Sequence, residues 1–153
     1  MKGRKPDLNN VAQHPAAANA ERATAQQRAD ADGRARDLRP HGLGKAVIKV
    51  WDRLAPELIL LGRLKAHHVD AFEEYCRIMV RLREARDYLD DNEWTYVTTG
   101  RHGSQHKSRP EVAQLNDDWR KWRSLTASFG LTPSDERGLN AAQGELFDDF
   151  DGF

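Results

Sequence analysis

The apolar pattern of this 153-residue chain changes period twice between Trp51 and Arg137, and that order constrains the fold more than any other feature. Helical spacing gives way to strict alternation at Trp94–Thr99 and returns after Ser108. The block reads as a kinked helix, a long charged helix, a short Gly-tipped hairpin and a Trp-bearing helix. The expected fold is therefore mainly α, a helical-hairpin core with one short β-hairpin and a further Trp-bearing helix. A flexible N-terminal arm and an acidic C-terminal tail flank it.

Val47, Val50, Trp51, Leu54, Leu58 and Leu61 define the apolar face of the first helix of this block. Pro56 falls inside it and removes one backbone donor, so a kink or break is expected near Leu54-Ala55. Gly62 supplies a C-terminal cap. The second helix is expected from about His67 to Asp91, with Val69, Phe72, Tyr75, Cys76, Met79, Leu82 and Leu89 forming a broad apolar face. Trp94, Tyr96 and Thr98 then alternate with Thr95, Val97 and Thr99. Gly100-Arg101-His102-Gly103 is the turn and Ser104–Lys107 the return strand. A lone two-stranded hairpin is marginal in water, so this one is expected to lean on a helix or a neighbouring chain. Ser108 and Glu111 have the spacing of a capping box ahead of the last long helix. Val112, Leu115, Trp119, Trp122, Thr126 and Phe129 carry its apolar face to Gly130, and core packing is the expected role of both tryptophans. Thr132-Pro133-Ser134-Asp135 caps another short helix.

The segments outside the block differ in composition. Residues 1–39 contain ten alanines but only Leu8, Val11 and Leu38 as sizeable aliphatics, too little apolar surface to offset the entropy of ordering. Residues 1–44 are thus read as a flexible basic arm with a transient helix around Ala16–Arg36. The core is placed at 45–137, with the hairpin near 94–107, and an acidic aromatic tail at 138–153. Formal net charge is zero, yet residues 1–39 carry eight Lys/Arg against five acids. Residues 134–153 carry six acids against Arg137 alone. Such asymmetry suits two different partners. Cys76 is the sole cysteine, which excludes an internal disulfide and a paired-cysteine zinc site. No apolar run reaches the length of a membrane span, so a soluble protein without membrane association is expected.

Catalytic chemistry finds little support. His67, His68 and Asp70, or His102 with His106, lack third and fourth ligands at diagnostic spacing, so neither is expected to hold a metal. Asp90, Asp91 and Glu93 gather carboxylates at a helix end without a supporting Lys or His. Arg77, Arg81, Arg83 and Arg86 have acids at pairing distance on the same helix, namely Glu73, Glu74, Glu84 and Asp87. No catalytic residue and no cofactor is implied.

The order of landmarks resembles the small subunit of phage terminases. The matching residues are Gly3-Arg4-Lys5-Pro6, then Trp51-Asp52-Arg53-Leu54-Ala55-Pro56-Glu57-Leu58 through Leu61-Gly62. They continue with Asp70-Ala71-Phe72-Glu73, Tyr75-Cys76 and Val97-Thr98-Thr99 before a Gly-containing turn, and close at Phe129-Gly130-Leu131-Thr132-Pro133-Ser134 with Arg137 behind. Two departures stand out. Lys107-Ser108-Arg109-Pro110 replaces the family's usual His-Pro or Asn-Pro pair, and the arginines after Thr-Pro-Ser are thinned to Arg137. The resemblance implies a non-catalytic protein that forms a homo-oligomeric ring in the cytoplasm of an infected bacterium. It further implies two partners, viral double-stranded DNA and the large terminase subunit that carries the ATPase and nuclease.

Candidate sites follow from chemistry and from that resemblance. Lys2, Arg4 and Lys5 can neutralise phosphates without reading sequence, and they equally suit a solvated terminus. Arg101, Lys107 and Arg109, with His102, form a second candidate DNA surface, for which an exposed polar turn is the plain alternative. Phe147, Phe150 and Phe153 recur every three residues among Asp148, Asp149 and Asp151, the composition of a short docking segment. The resemblance points that segment toward the large subunit, whereas an ordered last helix or self-covering tail is the alternative. At the level of function, the rival is a small helical adaptor that binds protein and never touches DNA.

Overall fold

The computed structural model describes residues 15–101 and 103–139. Its elements are α1 (Pro15–Leu38), α2 (Lys45–Leu60), a 3₁₀ turn (Ala66–His68), α3 (Val69–Asn92), β1 (Thr95–Gly100), β2 (Gly103–Ser108) and α4 (Pro110–Ser128). Residues 133–139 are helical again. The protein is mainly α with one two-stranded antiparallel hairpin, the class set by the changes in apolar period.

Helix α2 is the centre of the packing. Trp51 and Ala55 are fully buried, and the Trp51 ring tilts against Phe72 of α3 at 4.9 Å. Phe72 also meets Tyr75 and Phe129, so one aromatic cluster ties α2, α3 and the end of α4 together. A second cluster of Ile78, Leu82, Leu89 and Leu115 fills the α3–α4 seam, with Trp122 and Leu125 packed against both clusters. Burial pushes the Cys76 thiol up to about 12, as expected of a small apolar core residue.

Two helix ends follow their glycines. Gly62 takes φ +67 after Leu60, and the amides of Gly62, Arg63 and Leu64 return to carbonyls of Leu58 and Ile59. Gly130 takes φ +62, with its amide on Ala127 and that of Leu131 on Thr126. Only glycine enters this region without a Cβ penalty, so both helices stop where the sequence places the glycine. The Thr132 cap forms as well: its hydroxyl accepts the Asp135 amide at 3.3 Å and contacts the Asp135 carboxylate.

Two expectations need correction. Pro56 lies inside an unbroken α2. The Ser108–Glu111 capping box does not form, because Ser108 pairs with Thr95 at the end of β2 and Arg109 becomes the N-cap. Glu111 Oε2 is instead buried without a hydrogen-bond partner. The helix expected around Ala16–Arg36 is present as α1, packed antiparallel on α2. Ala31 and Ala35 are buried, the Trp51 indole donates to the Ala35 carbonyl at 2.9 Å, and Arg39 pairs with Asp52. The apolar surface that orders α1 comes from α2. Alanine contributes by letting the helix approach closely.

Candidate nucleic-acid interface

The hairpin stands clear of the helical core. Pairing runs from Thr95↔Ser108 to Gly100↔Gly103, and every residue of β1 and β2 is exposed except the half-buried Thr98. Its base is fastened by Arg109, whose amide bonds the Trp94 carbonyl at 3.1 Å and whose Nε bonds the Glu93 carbonyl at 2.7 Å. Glu93 turns the chain out of α3 with φ +61. Thus Arg109, read as a DNA contact, also fixes where the hairpin leaves the helices.

Directly opposed residues of an antiparallel ladder share a face. Tyr96, Thr98, Gln105 and Lys107 lie on one side, while Thr95, Val97, Thr99, Ser104, His106 and Ser108 lie on the other. Thr98, Gln105 and Lys107 line a shallow concavity of about 350 Å³ with Arg101, Thr99, Gly100 and Gly103. Residues 95–108 contain no Asp or Glu in a chain whose overall charge is zero. Arg101 and Lys107 therefore have no competing carboxylate on the hairpin itself. A two-stranded β-ribbon fits the DNA major groove, where Gln and Thr hydrogen-bond base edges and Arg or Lys engage guanine or phosphate. Sequence reading found the two cations and missed Thr98 and Gln105. Their signal was the two-residue period combined with the Gly100–Gly103 turn, which sets the register.

The remaining candidates fall elsewhere. Lys2, Arg4, Lys5 and His102 lie outside the described residues, as do Phe147, Asp148, Asp149, Phe150 and Phe153. His68 Nδ1 is 3.0 Å from the Arg63 carbonyl. Among the described residues no group of three or more His, Cys, Asp or Glu could hold a metal ion. Asp90, Asp91 and Glu93 are exposed, with Asp90 accepting from the Trp94 indole at 3.4 Å. Arg77 pairs with Glu73 at 2.6 Å along α3 as expected. Arg81 leaves its own helix: it grips the buried Asp118 of α4 through two bonds of 3.0 Å, with Glu74 at 3.3 Å. The Arg81 guanidinium holds the Asp118 carboxyl below its ordinary range.

The described residues thus form a helical core that carries an exposed, acid-free β-hairpin. A family model described as phage terminase, small subunit, matches residues 48–145, which is more than half of the chain. The chain belongs to the small-subunit family of phage terminases, and its role lies in phage DNA packaging. No curated protein and no solved structure matches it. The matched stretch covers α2 from Ile48 onward, α3, the hairpin and α4. Among the described residues no helix is long and apolar enough to cross a membrane.

Proposed function

We propose that this chain is the non-catalytic, DNA-recognising subunit of a terminase, acting as a ring in the cytoplasm of the infected host. The observation that carries the reading is the acid-free hairpin of residues 95–108, exposed on both faces and basic at its tip. Arg101 and Lys107 supply phosphate or guanine contacts, Thr98 and Gln105 face base edges, and Arg109 holds the ribbon at its angle. Lys2, Arg4 and Lys5 add sequence-independent affinity. The acidic aromatic segment Phe147, Asp148, Asp149, Phe150 and Phe153 engages the large subunit, which supplies ATPase and nuclease. Recognition and recruitment then meet in one small protein.

Duplex-DNA binding measured across a salt series tests the reading. Each phosphate neutralised contributes a slope of about 0.9 in log affinity against log salt. Arg101→Ala with Lys107→Ala is expected to weaken binding and flatten that slope by about two contacts. The zero net charge favours the adaptor reading, under which the double variant and the parent bind DNA equally poorly. That outcome would replace the present reading with the adaptor.

A further inference from the structure

Trp119 is 39% exposed although it lies on the face of α4 that its spacing assigns to the core. Its ring stacks on Trp122 at 4.8 Å, and the Arg86 guanidinium sits 5.4 Å above it. Beside this pair, between α4 and the segment entering the helical residues 133–139, runs a cavity of about 340 Å³. Trp119, Trp122, Arg123, Thr126, Thr132 and Asp135 are among its lining residues. An aromatic groove open to water on one side is a poor end state for a folded surface.

We propose that the groove is the seat of this chain's own C-terminal segment, residues 145–153, with one of Phe147, Phe150 or Phe153 lying against Trp119 and Trp122. Position, length and charge support that occupant. The wall at Thr132–Asp135 is only a few residues before Leu139, the last described residue. Fourteen residues follow Leu139, and the eight from there to Phe147 span up to about 26 Å when extended, ample to return across the groove. Residues 145–153 carry Glu145, Asp148, Asp149 and Asp151 with no basic residue. Opposite them, Arg123 lines the groove and Arg86 lies over Trp119; both are exposed and stand in no ion pair among the described residues. Lys121 is engaged by Asp117; Asp135 in the wall accepts from the Thr132 hydroxyl and keeps its negative charge, so Arg86 and Arg123 outnumber it by one. Tethering raises the local concentration of the segment to about the millimolar range, so a weak aromatic contact suffices. The docked segment covers Trp119 and keeps its phenylalanines from the grooves of other copies. Any protein that captures the segment must compete with this seat. The inference stands independently of whether the large subunit is that competitor.

Cysteine trapping in the full chain tests it. Ala127→Cys borders the groove and Gly152→Cys leaves every tail aromatic in place, while native Cys76 stays buried and unreactive. Mild oxidation is expected to give an intramolecular disulfide whose yield is insensitive to dilution and falls at high salt. Arg101→Cys with Gly152→Cys, at the hairpin tip, is the control and should not close. In parallel, Phe147→Ala/Phe150→Ala/Phe153→Ala should raise acrylamide quenching of tryptophan fluorescence, and Trp119→Phe should remove that increase. Covalent multimers in place of the internal disulfide would assign the segment to a neighbouring copy and overturn the proposal. Equal trapping at both positions, or no trapping with unchanged quenching, would overturn it as well.

Discussion

Asp118 is the buried end of an ion pair across the α3–α4 seam. It is 2% exposed, whereas its partner Arg81 keeps 43% of its side chain in water, so the two ends of the ion pair are not equivalent. Removing Arg81 strands a buried carboxylate, a loss of about 3–5 kcal/mol for a fully buried pair and less here because water reaches the guanidinium side. Removing the charge with Asp118→Asn leaves a cation that can rehydrate, and costs about 1.5–3 kcal/mol. Urea unfolding of the two variants should therefore rank Arg81→Ala as the more damaging, and the reverse order would contradict this account. The same pair sets an acid limb. A carboxyl held below its unfolded value of about 3.9 contributes stability that is complete above that pH and is lost as pH falls through the folded value. Melting temperature should drop below about pH 4, and Asp118→Asn should flatten that drop. Sequence alone assigned Arg81 to partners on its own helix. Leu115, Asp118 and Trp122 share the inward face of α4, so an acid at an apolar position was the available signal. Trp51 adds a third case: Trp51→Phe keeps most of the ring but orphans the Ala35 carbonyl, at a cost of about 1 kcal/mol readable by chemical denaturation.

At the level of elements, legibility followed local chemistry. Gly62, Gly130 and Thr132 ended or began helices where the sequence placed them, because a positive φ or a hydroxyl cap is decided within a few residues. Ser108 failed because two local signals competed for it. The β-ladder took the residue, moving the α4 N-cap to Arg109 and putting Pro110 at the first helical position, where its missing amide costs nothing. Gly130 also has a tertiary duty. A Cβ there would stand 2.5 Å from Leu139 Cδ1 and 3.2 Å from Arg63 Nη1, and Arg63 donates to the Gly130 carbonyl at 2.8 Å. Gly130→Ala should cost about 1–2 kcal/mol for the left-handed backbone and more for the overlap, seen as a lower melting temperature. The hairpin predicts the opposite. Since Arg101 and Lys107 are exposed, their alanine variants should unfold within about 0.5 kcal/mol of the parent while losing DNA affinity. A matching loss of stability would mean the hairpin serves the fold instead of a ligand.

For the whole molecule, the α1 segment marks what composition could not convey. Its alanines gave no sign of the partner that orders them, because Trp51 is the residue that covers Ala35 and it belongs to the next helix. Assembly is written with equal reticence in a single chain. Leu60, Leu61, Trp94 and Val97 are exposed, at 41%, 48%, 45% and 54%, on a protein already lean in apolar residues. They sit at the end of α2 and on or just before the hairpin, and the proposed ring would use such apolar positions between copies. Under the proposed function, a ring answers the weakness of a single hairpin as a DNA contact. One hairpin offers two cations and a salt slope near two, too little for useful affinity, whereas copies held together bind as one multivalent surface. Light scattering of the purified protein should give a single closed oligomer whose mass is unchanged on dilution. Its DNA salt slope should exceed that of one hairpin, and Arg101→Ala with Lys107→Ala should reduce the slope without changing the mass. A monomer or dimer at every concentration would remove multivalency, and with it the proposed mode of DNA binding through two cations per chain.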